Sequence, residues 1–371
     1  MDAFTERVMR KNKSNQSRLP LTISAQYGLV DQITFFNKVV ASTDLSNYYL
    51  LKKGEFAYNK SYSSDYPWGA IKRLDNYDQG ALSSLYICFA PQDNVVSDFI
   101  LQYFESPKWH KGISEIAVEG ARNHGLLNVA VQDFFHTYHY VPNDKKEQIK
   151  ISKLLMLLDE RISTQNKIIE DLKKLKSAII EIEYTPNTKT TSPIGDVIEQ
   201  ISKRNKNNAI QNVLSVSNRQ GFIKQSDQFE NRNVASEDTS NYKIVEKNDF
   251  AFNPARINVG SIARLTTFEK GIVSPMYICF RTQENVAPEY IDYFFESKHF
   301  YCEIQKRLEG SVRQCLSFEG LCNIPLSLPS FEMQQLIGKR LFTLGQKVKT
   351  ETYLLELLNK QKQYLLRQMF I

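Results

Sequence analysis

Arginine, lysine and amide side chains collect at three places in each half of the chain. The first place follows a short aromatic run, with Lys60, Tyr62, Tyr66, Lys72 and Arg73 in one half and Arg256, Asn258, Ser261 and Arg264 in the other. The second follows a Glu-Gly pair, with Arg122, Asn123 and His124 in one half and Arg313 and Gln314 in the other. The third precedes a glycine and contains Gln26 and Tyr27, or Asn218, Arg219 and Gln220. Such side chains hydrogen-bond phosphates and base edges, although any single one could equally be an ordinary solvated loop residue.

Motifs that would give the chain catalytic chemistry of its own are missing from the sequence. No two of the fifteen glycines stand two positions apart, so the glycine-rich turn of a methyltransferase cofactor site is absent. The phosphate-cradling pattern G-x-x-x-x-G-K-[ST] is absent as well. Asn253-Pro254 begins like the Asn-Pro-Pro-aromatic loop that holds a flipped adenine, but Ala255 and Arg256 replace the second proline and the ring. We therefore predict no enzyme activity and no bound cofactor.

Histidines and cysteines do not form a metal-binding pattern. His136 and His139 lie in an aromatic stretch, residues 134–140, that we predict to be a strand, where residues three apart point to opposite faces. The five cysteines contain no C-x-x-C pair, and Cys88 and Cys279 occupy equivalent Tyr-Ile-Cys-Phe runs. We expect these two to be buried free thiols, with neither a disulfide nor a metal in the chain.

The sequence contains two copies of the elements that must position these groups. Residues 42–59 reappear as residues 236–253, with nine of the eighteen positions identical, and further short matches follow downstream. The two copies are offset by 194 residues. This period is far longer than a solenoid repeat, so each copy is a domain-sized unit. Stretches rich in Val, Ile, Phe and Tyr, broken by Asn, Asp, Ser and Gly, predict short strands, and short helices are predicted between them. Each copy is therefore expected to be an α/β unit in the broad, α+β sense.

A long helical pattern without proline follows Pro142 in the first copy and Pro329 in the second. From 145 to 183 and from 331 to 370, apolar residues recur at alternating steps of three and four, as in a coiled-coil seam. The polar breaks also coincide, Gln165 with Glu351 and Lys176 with Lys362. The apolar seam residues are Leu155, Leu158, Ile162, Ile169, Leu172 and Ile179, and then Leu341, Leu344, Val348, Leu355, Leu358 and Leu365.

The matched seams predict that the two helices pair as an antiparallel coiled coil about an approximate twofold axis. The alternative is that each helix packs only on its own globular unit. The predicted domains are a globular unit at 1–143, a helix at 144–184, a second globular unit at 185–329 and a second helix at 330–371.

Composition excludes several classes of protein. No apolar run reaches the roughly 18 residues that a membrane helix needs, and the first sixteen residues are polar and charged, so we expect a cytoplasmic location. The formal net charge is +6, but basic and acidic side chains nearly balance within the predicted globular units. Global charge alone therefore does not argue for a nucleic acid partner.

Two like globular units, each followed by a long heptad helix, resemble the specificity subunit of type I restriction-modification enzymes. The segments similar to the target-recognition domains of that family are EFAYNK at 55–60, YPWGAIKRL at 66–74, FNPAR at 252–256, GSIA at 260–263 and NIPL at 323–326. EQI at 147–149 and MQQL at 333–336 are similar to the first turns of its spacer helices. The resemblance covers nearly the whole chain.

The resemblance implies a non-catalytic subunit that reads double-stranded DNA, one half of a split target per globular unit. In that family the paired helices fix the gap between the halves and dock two modification subunits, which use S-adenosylmethionine to methylate adenine. Two restriction subunits that use ATP and magnesium can join the assembly. On this basis the three groups become candidate DNA-reading residues, and their differences between copies predict an asymmetric target. Alternatives are the specificity subunit of another multisubunit methyltransferase and a structural adaptor that binds proteins.

Overall fold

The computed structural model describes residues 1–117, 125–185, 191–218, 220–228, 238–310 and 314–370. The chain forms two compact units. Unit 1 comprises Met1–Asn166 and Tyr353–Ile371, and unit 2 comprises Lys167–Thr352. Each of the two long helices therefore contributes one part to each unit. No helix among the described residues is long and apolar enough to cross a membrane.

Unit 1 contains two four-stranded sheets, in the orders β1-β8-β5-β6 and β3-β2-β7-β4. All pairings are antiparallel except that of β2 with β7. The strands are β1 (Thr5–Arg7), β2 (Pro20–Ser24), β3 (Gly28–Asp31), β4 (Tyr49–Lys52), β5 (Phe56–Asn59), β6 (Ala70–Arg73), β7 (Gln79–Leu82) and β8 (Ile87–Pro91). The helices are α1 (Gln32–Phe36), α2 (Ser97–Glu105), α3 (His110–Ile116), α4 (Val131–His136) and the long α5 (Lys145–Glu183), of which unit 1 holds the first part.

Unit 2 has the same two sheets, in the orders β10-β17-β14-β15 and β12-β11-β16-β13, and an added ribbon of β18 with β9. Its strands are β9 (Thr191–Pro193), β10 (Ile198–Ile201), β11 (Val213–Ser217), β12 (Gly221–Lys224), β13 (Lys243–Glu246), β14 (Phe250–Phe252), β15 (Ile262–Arg264), β16 (Lys270–Val273), β17 (Ile278–Thr282) and β18 (Pro325–Ser327). Its helices are α6 (Gln225–Gln228), α7 (Pro288–Phe294), α8 (Lys298–Gln305), α9 (Phe318–Cys322) and the first part of the long α10 (Phe331–Gln368). The pairing of β11 with β16 is parallel, as is that of β2 with β7, so the sequence repeat is a repeat of topology.

Alternation along the central strands explains why both faces of one sheet are buried. In β5, Phe56 and Tyr58 join an aromatic core beneath the helices, whereas Ala57 faces the second sheet. In β14, Phe250 and Phe252 face one core and Ala251 faces the other. Cys88 and Cys279 lie opposite those alanines as buried free thiols, and burial raises the pKa of each to about 12.

A buried glutamine fixes the first turn of each long helix. The Gln148 side chain accepts a hydrogen bond from Val96 N (2.7 Å) and donates one to Pro142 O (2.7 Å). Gln334 accepts from Ala287 N (2.9 Å) and donates to Pro329 O (2.9 Å). Each glutamine thus ties its helix both to the preceding proline and to the start of α2 or α7.

The predicted antiparallel pairing of the helices is confirmed inside unit 1. Ile151 and Leu155, early in α5, share a core with Leu366 and Phe370 at the end of the chain. Further along α5, Asp159 forms an ion pair with Lys362, which lies further back in α10 (2.5 Å). In unit 2, Ile180 near the end of α5 shares a core with Ile337 and Leu341 near the start of α10.

Every predicted seam position is buried or half-buried, whereas neighbours such as Leu154 and Leu157 are exposed. The polar breaks are buried too, since Gln165 is 6% and Glu351 8% exposed. Lys176 pairs with Glu296 on the globular part of unit 2 (2.6 Å), and Glu351 pairs with Lys347.

The prediction of a strand at 134–140 is wrong. Residues Val131–His136 form α4, because Phe134 must reach an aromatic cluster in which its ring stacks on Tyr58 with centroids 5.1 Å apart. His136 is exposed at the helix end. His139 lies in the extended segment beyond it, between the Tyr103 and Thr137 hydroxyl groups (2.8 and 2.7 Å).

Candidate nucleic-acid interface

In unit 1, backbone hydrogen bonds join the loop of the first candidate group to the residues that follow the second group in the sequence. After β5 the chain enters the loop that carries Lys60 and Tyr62. Leu127 N donates to Lys60 O (2.9 Å), and Tyr62 N donates to Gly125 O (3.1 Å). Gly125 directly follows Arg122, Asn123 and His124, which lie outside the described residues. The Tyr62 side chain is 52% exposed, so it is available to a ligand.

In unit 2 the turn of the first group is likewise tied to the loop that carries Gln314. Asn253 caps a 3₁₀ turn, Pro254–Val259, that carries exposed Arg256 and half-buried Asn258. Leu316 N donates to Pro254 O (3.1 Å), which ties this turn to a loop closed by two backbone hydrogen bonds between Glu309 and Cys315. That loop carries exposed Gln314, and Arg313 beside it lies outside the described residues.

The third group lies close to the first in both units. In unit 2, the turn between β11 and β12 holds Asn218, whose Cβ lies 3.8 Å from where a Cβ on Gly260 would stand. Gly260 ends the 3₁₀ turn of Arg256 and Asn258. In unit 1, Gln26 lines a cleft of about 420 Å³ together with Tyr66 and Lys72. Tyr27 beside it is 68% exposed, and Arg219 in the equivalent turn lies outside the described residues.

Three of the predicted DNA-reading residues form ion pairs within their own unit. Arg73 contacts Asp75 and Asp98 (2.7 Å each), and the equivalent Arg264 contacts Glu289 (2.5 Å) and Asp292 (3.1 Å). Lys72 pairs with Glu105 (2.5 Å). Their side chains are only 9–13% exposed.

The two arginines tie β6 and β15 to the first turns of α2 and α7, where carboxylates also favour the positive end of a helix. A structural role accounts for all three side chains. We therefore leave Lys72, Arg73 and Arg264 out of the proposed reading surface.

Sequence reasoning missed a pair of basic turns, at 10–17 and at 203–210. Asn12 and Asn205 are 0% and 3% exposed, and each bridges its turn with two hydrogen bonds, to the backbone of Ser17 or of Ile210. Exposed lysine or arginine stands on both sides of the asparagine in each turn. In unit 2 the turn borders a cleft of about 750 Å³, also lined by Lys270. The signal that could have found them is Lys-Asn-Lys at 11–13 against Arg-Asn-Lys at 204–206.

Titratable groups do not assemble into a metal site within the described residues. Burial lowers the pKa of His139 to about 3, so its imidazole is neutral and serves as a hydrogen-bonding member of the core. Burial also lowers the pKa of His110, which lines the cleft of Gln26 and Tyr66. What the surface offers a ligand is hydrogen-bond donors and positive charge on turns held by the sheets.

Comparisons with known proteins agree with this geometry. Residues 186–360 match the family described as "Type I restriction modification DNA specificity domain". A crystal structure of the S subunit of a type I restriction-modification system from M. genitalium has a TM-score of 0.57 and 15% identity, over 100% of this chain and 94% of that chain. A chain from a study of complex assembly and conformational transition of the type I R-M system has a TM-score of 0.54 and 12% identity, over 99% and 97%. Curated protein sequences gave no match.

The two structural likenesses establish the fold, and the family match establishes the kind of domain that residues 186–360 form. The resemblance inferred from the sequence is thereby confirmed for the second half of the chain: residues 186–360 match the DNA specificity domain of type I restriction-modification systems.

Proposed function

We propose that this chain is the non-catalytic subunit that reads a split, asymmetric DNA target for a type I restriction-modification complex. One observation carries the proposal. In both units an equivalent backbone hydrogen bond, Leu127 N to Lys60 O or Leu316 N to Pro254 O, ties the first loop to the segment that follows the Glu-Gly pair, and the described part of the third group lies beside the first, while the loop residues differ. A shared scaffold with different side chains at its tips is suited to reading two different half-sites.

The exposure and charge of the side chains indicate which of them contact bases and which contact phosphates. Exposed Arg256 and Gln314, with half-buried Asn258, can reach base edges in unit 2, as Lys60 and Tyr62 can in unit 1. The basic turns at 10–17 and 203–210 supply charge for phosphates, which fixes the register of a protein on DNA without reading it. This arrangement makes affinity fall steeply with salt, in contrast with that of a protein-binding adaptor.

Docking of modification subunits, and through them of restriction subunits, is the second part of the proposal. Besides its buried seam, α5 carries Ile168, Leu175 and Ile182 at seven-residue spacing in unit 2, exposed by 40%, 49% and 75%. These residues form a second apolar stripe that the unit does not cover. In this proposal S-adenosylmethionine, ATP and magnesium belong to the partner subunits.

The experiment that tests the proposal is co-expression of the chain with the modification subunit encoded beside it, followed by mapping of methylated adenines across the host genome. A single split, asymmetric motif that is present only with this chain is the expected result. A stable complex without new methylation would favour the adaptor. Methylation of an unsplit or palindromic motif would contradict the reading of two different half-sites.

A further inference from the structure

Unit 2 contains a lysine-lined cavity that the proposed DNA-reading role does not use. It has a volume of about 490 Å³ and lies between the end of α5, the start of α10 and α7. Lys173, Lys176 and Lys349 line it, with the Tyr293 ring and Glu296 on the side of α7. Three ammonium groups against one carboxylate leave the cavity with an excess of positive charge. Its accessible lysines therefore favour an additional negative charge.

The equivalent place in unit 1 is occupied by a carboxylate. Lys176 corresponds to Lys362, at the matched breaks in the two seams, and by the same register Gly345 corresponds to Asp159. In unit 1 the Asp159 carboxylate pairs with Lys362 Nζ (2.5 Å) and accepts a hydrogen bond from Gln102 Nε2 (3.0 Å). The lysine at the seam is thus neutralised by a side chain that its own unit supplies.

Unit 2 lacks that carboxylate because Gly345 carries no side chain. A Cβ built on Gly345 would have no atom within 4 Å, so the space is open. Lys176 turns away to Glu296 (2.6 Å) and lies over the Tyr293 ring, 5.0 Å from its centroid. Among the described residues, Lys173 and Lys349 have no acidic side chain within ion-pair distance. A glycine within a helix makes the helix less stable than an alanine would, by about 1 kcal/mol. Gly345 therefore leaves the space open at a cost in helix stability.

We propose that this cavity receives the carboxylate of an aspartate or glutamate side chain from a docked protein, in the place that Asp159 fills in unit 1. The inference rests on the proposed function in one respect, that the docked protein is the modification subunit. It makes the two units unequal docking sites, because Asp159 neutralises Lys362 in unit 1, whereas the described part of unit 2 leaves the equivalent lysine cluster open. An acidic side chain inserted there would be flanked by the charges of Lys173 and Lys349 and would contact the Tyr293 ring.

The first test fills the cavity from within. Gly345→Asp should place a carboxylate against Lys176, and Gly345→Ala is the control for the change in helix propensity. We expect both variants to unfold at the same temperature as the unmodified chain or higher. Gly345→Asp should bind the purified modification subunit about tenfold more weakly, measured by titration calorimetry, and Gly345→Ala within about twofold of the unmodified chain. Equal affinity of the two variants would overturn the proposal.

The second test removes charge without filling the cavity. Lys173→Gln combined with Lys349→Gln should weaken binding of the modification subunit about fivefold at low salt and flatten its salt dependence. Lys174→Gln is the matched control, since Lys174 is exposed on the same helix but pairs with Glu170. Unchanged binding in the double variant would overturn the inference. So would a loss of DNA affinity with partner affinity unchanged, which would assign the lysines to phosphate.

The remaining outcomes separate this inference from the proposed function. If the unmodified chain directs split-target methylation and Gly345→Asp does so with full partner affinity, only the cavity proposal fails. If the unmodified chain forms no complex with the modification subunit, the partner assignment fails, and the cavity proposal fails with it. If sodium acetate raises the unfolding temperature of the unmodified chain but not of Gly345→Asp, while the lysine variants keep full partner affinity, the cavity is a site for free anions only.

Discussion

Two carboxyl groups at equivalent turns, of half-buried Glu55 and buried Asp249, have pKa values that the fold raises. Glu55 accepts a hydrogen bond from Lys52 N (2.8 Å), and Asp249 accepts one from Glu246 N (2.7 Å). Burial raises the pKa of both carboxyl groups, although Arg10 and Arg281 beside them act in the opposite direction. The two carboxylates stabilise the turns that precede β5 and β14, and burial of their charge opposes that effect.

The raised pKa of Asp249 predicts how stability depends on pH. The folded chain holds this proton to a higher pH than the unfolded chain, whose carboxyl group titrates near 3.8. The free energy of unfolding should therefore fall as pH rises from that value through the folded pKa. Asp249→Asn should reduce this decline, measured by urea unfolding from pH 3.5 to 7. Asp93→Asn, at an exposed residue, is the control, and an identical pH dependence in all three proteins would contradict the assignment.

Thiol accessibility gives a second test at the residue scale. Cys88 and Cys279 are 1% and 0% exposed with pKa values of about 12, whereas Cys302 is exposed. Because the thiolate is the reactive form, Cys302 should react first with an aromatic disulfide reagent at pH 8, and Cys88 and Cys279 only after unfolding. Peptide mass mapping identifies the modified residues. Rapid labelling of Cys88 in the native chain would contradict the burial of this strand.

At the scale of elements, the orientation of each long helix is shown by which of its apolar residues are buried and which are exposed. Leu155 is fully buried against the end of α10, and Leu154 beside it is 47% exposed. The same backbone therefore presents one leucine to the core and the next to solvent. Neighbouring residues can thus serve as a test and its control.

Leu155→Ala should lower the free energy of unfolding by about 2–5 kcal/mol, because it removes buried methyl groups and leaves a cavity. Leu154→Ala should change it by less than about 0.5 kcal/mol, since its side chain already contacts water. Chemical denaturation of the two variants gives the comparison. A similar loss in both would mean that α5 buries a different face.

The buried glutamines make a second prediction at this scale. Gln334→Ala leaves Ala287 N, at the residue that caps the start of α7, without its acceptor, and Pro329 O without its donor. The expected cost is about 1–3 kcal/mol in the free energy of unfolding. Gln335→Ala, at the next and exposed residue, should have little effect when measured in the same way. Equal stability of the two variants would show that the first turn of α10 does not depend on this link.

For the whole molecule, the two sets of loops should be separable in function. Arg256→Ala combined with Asn258→Ala should relax base preference in one half of the methylated motif, at about 1–3 kcal/mol for each lost base contact. Lys60→Ala combined with Tyr62→Ala should affect only the other half. Methylation mapping of each variant in the complex provides the measurement. A change in both halves from either pair would contradict the assignment of one half-site to each unit.

The sequence by itself determined the features that depend on local periodicity and on duplication. Heptad spacing specifies a helix and its seam because residues three and four apart share a face, and α5 covers Lys145–Glu183 as that pattern indicates. The repeat implied two like units, since equal sequences bury equal residues. The match of Gln165 with Glu351 and of Lys176 with Lys362 predicted that the two helices lie against each other, and the opposite charges of Lys176 and Glu351 favoured the antiparallel direction.

Only the tertiary structure decided which of the candidate side chains remain available. Arg73 and Arg264 look like binding residues in a sequence, but carboxylates 25 residues away in the chain contact both. Phe134 forms part of a helix because its ring packs there against an aromatic cluster that is distant in the sequence. The spacing of apolar residues around Phe134 does not predict that contact. The open space at Gly345 exists because three helices meet around a residue without a side chain. These features depend on contacts between residues far apart in the chain, which local spacing does not encode.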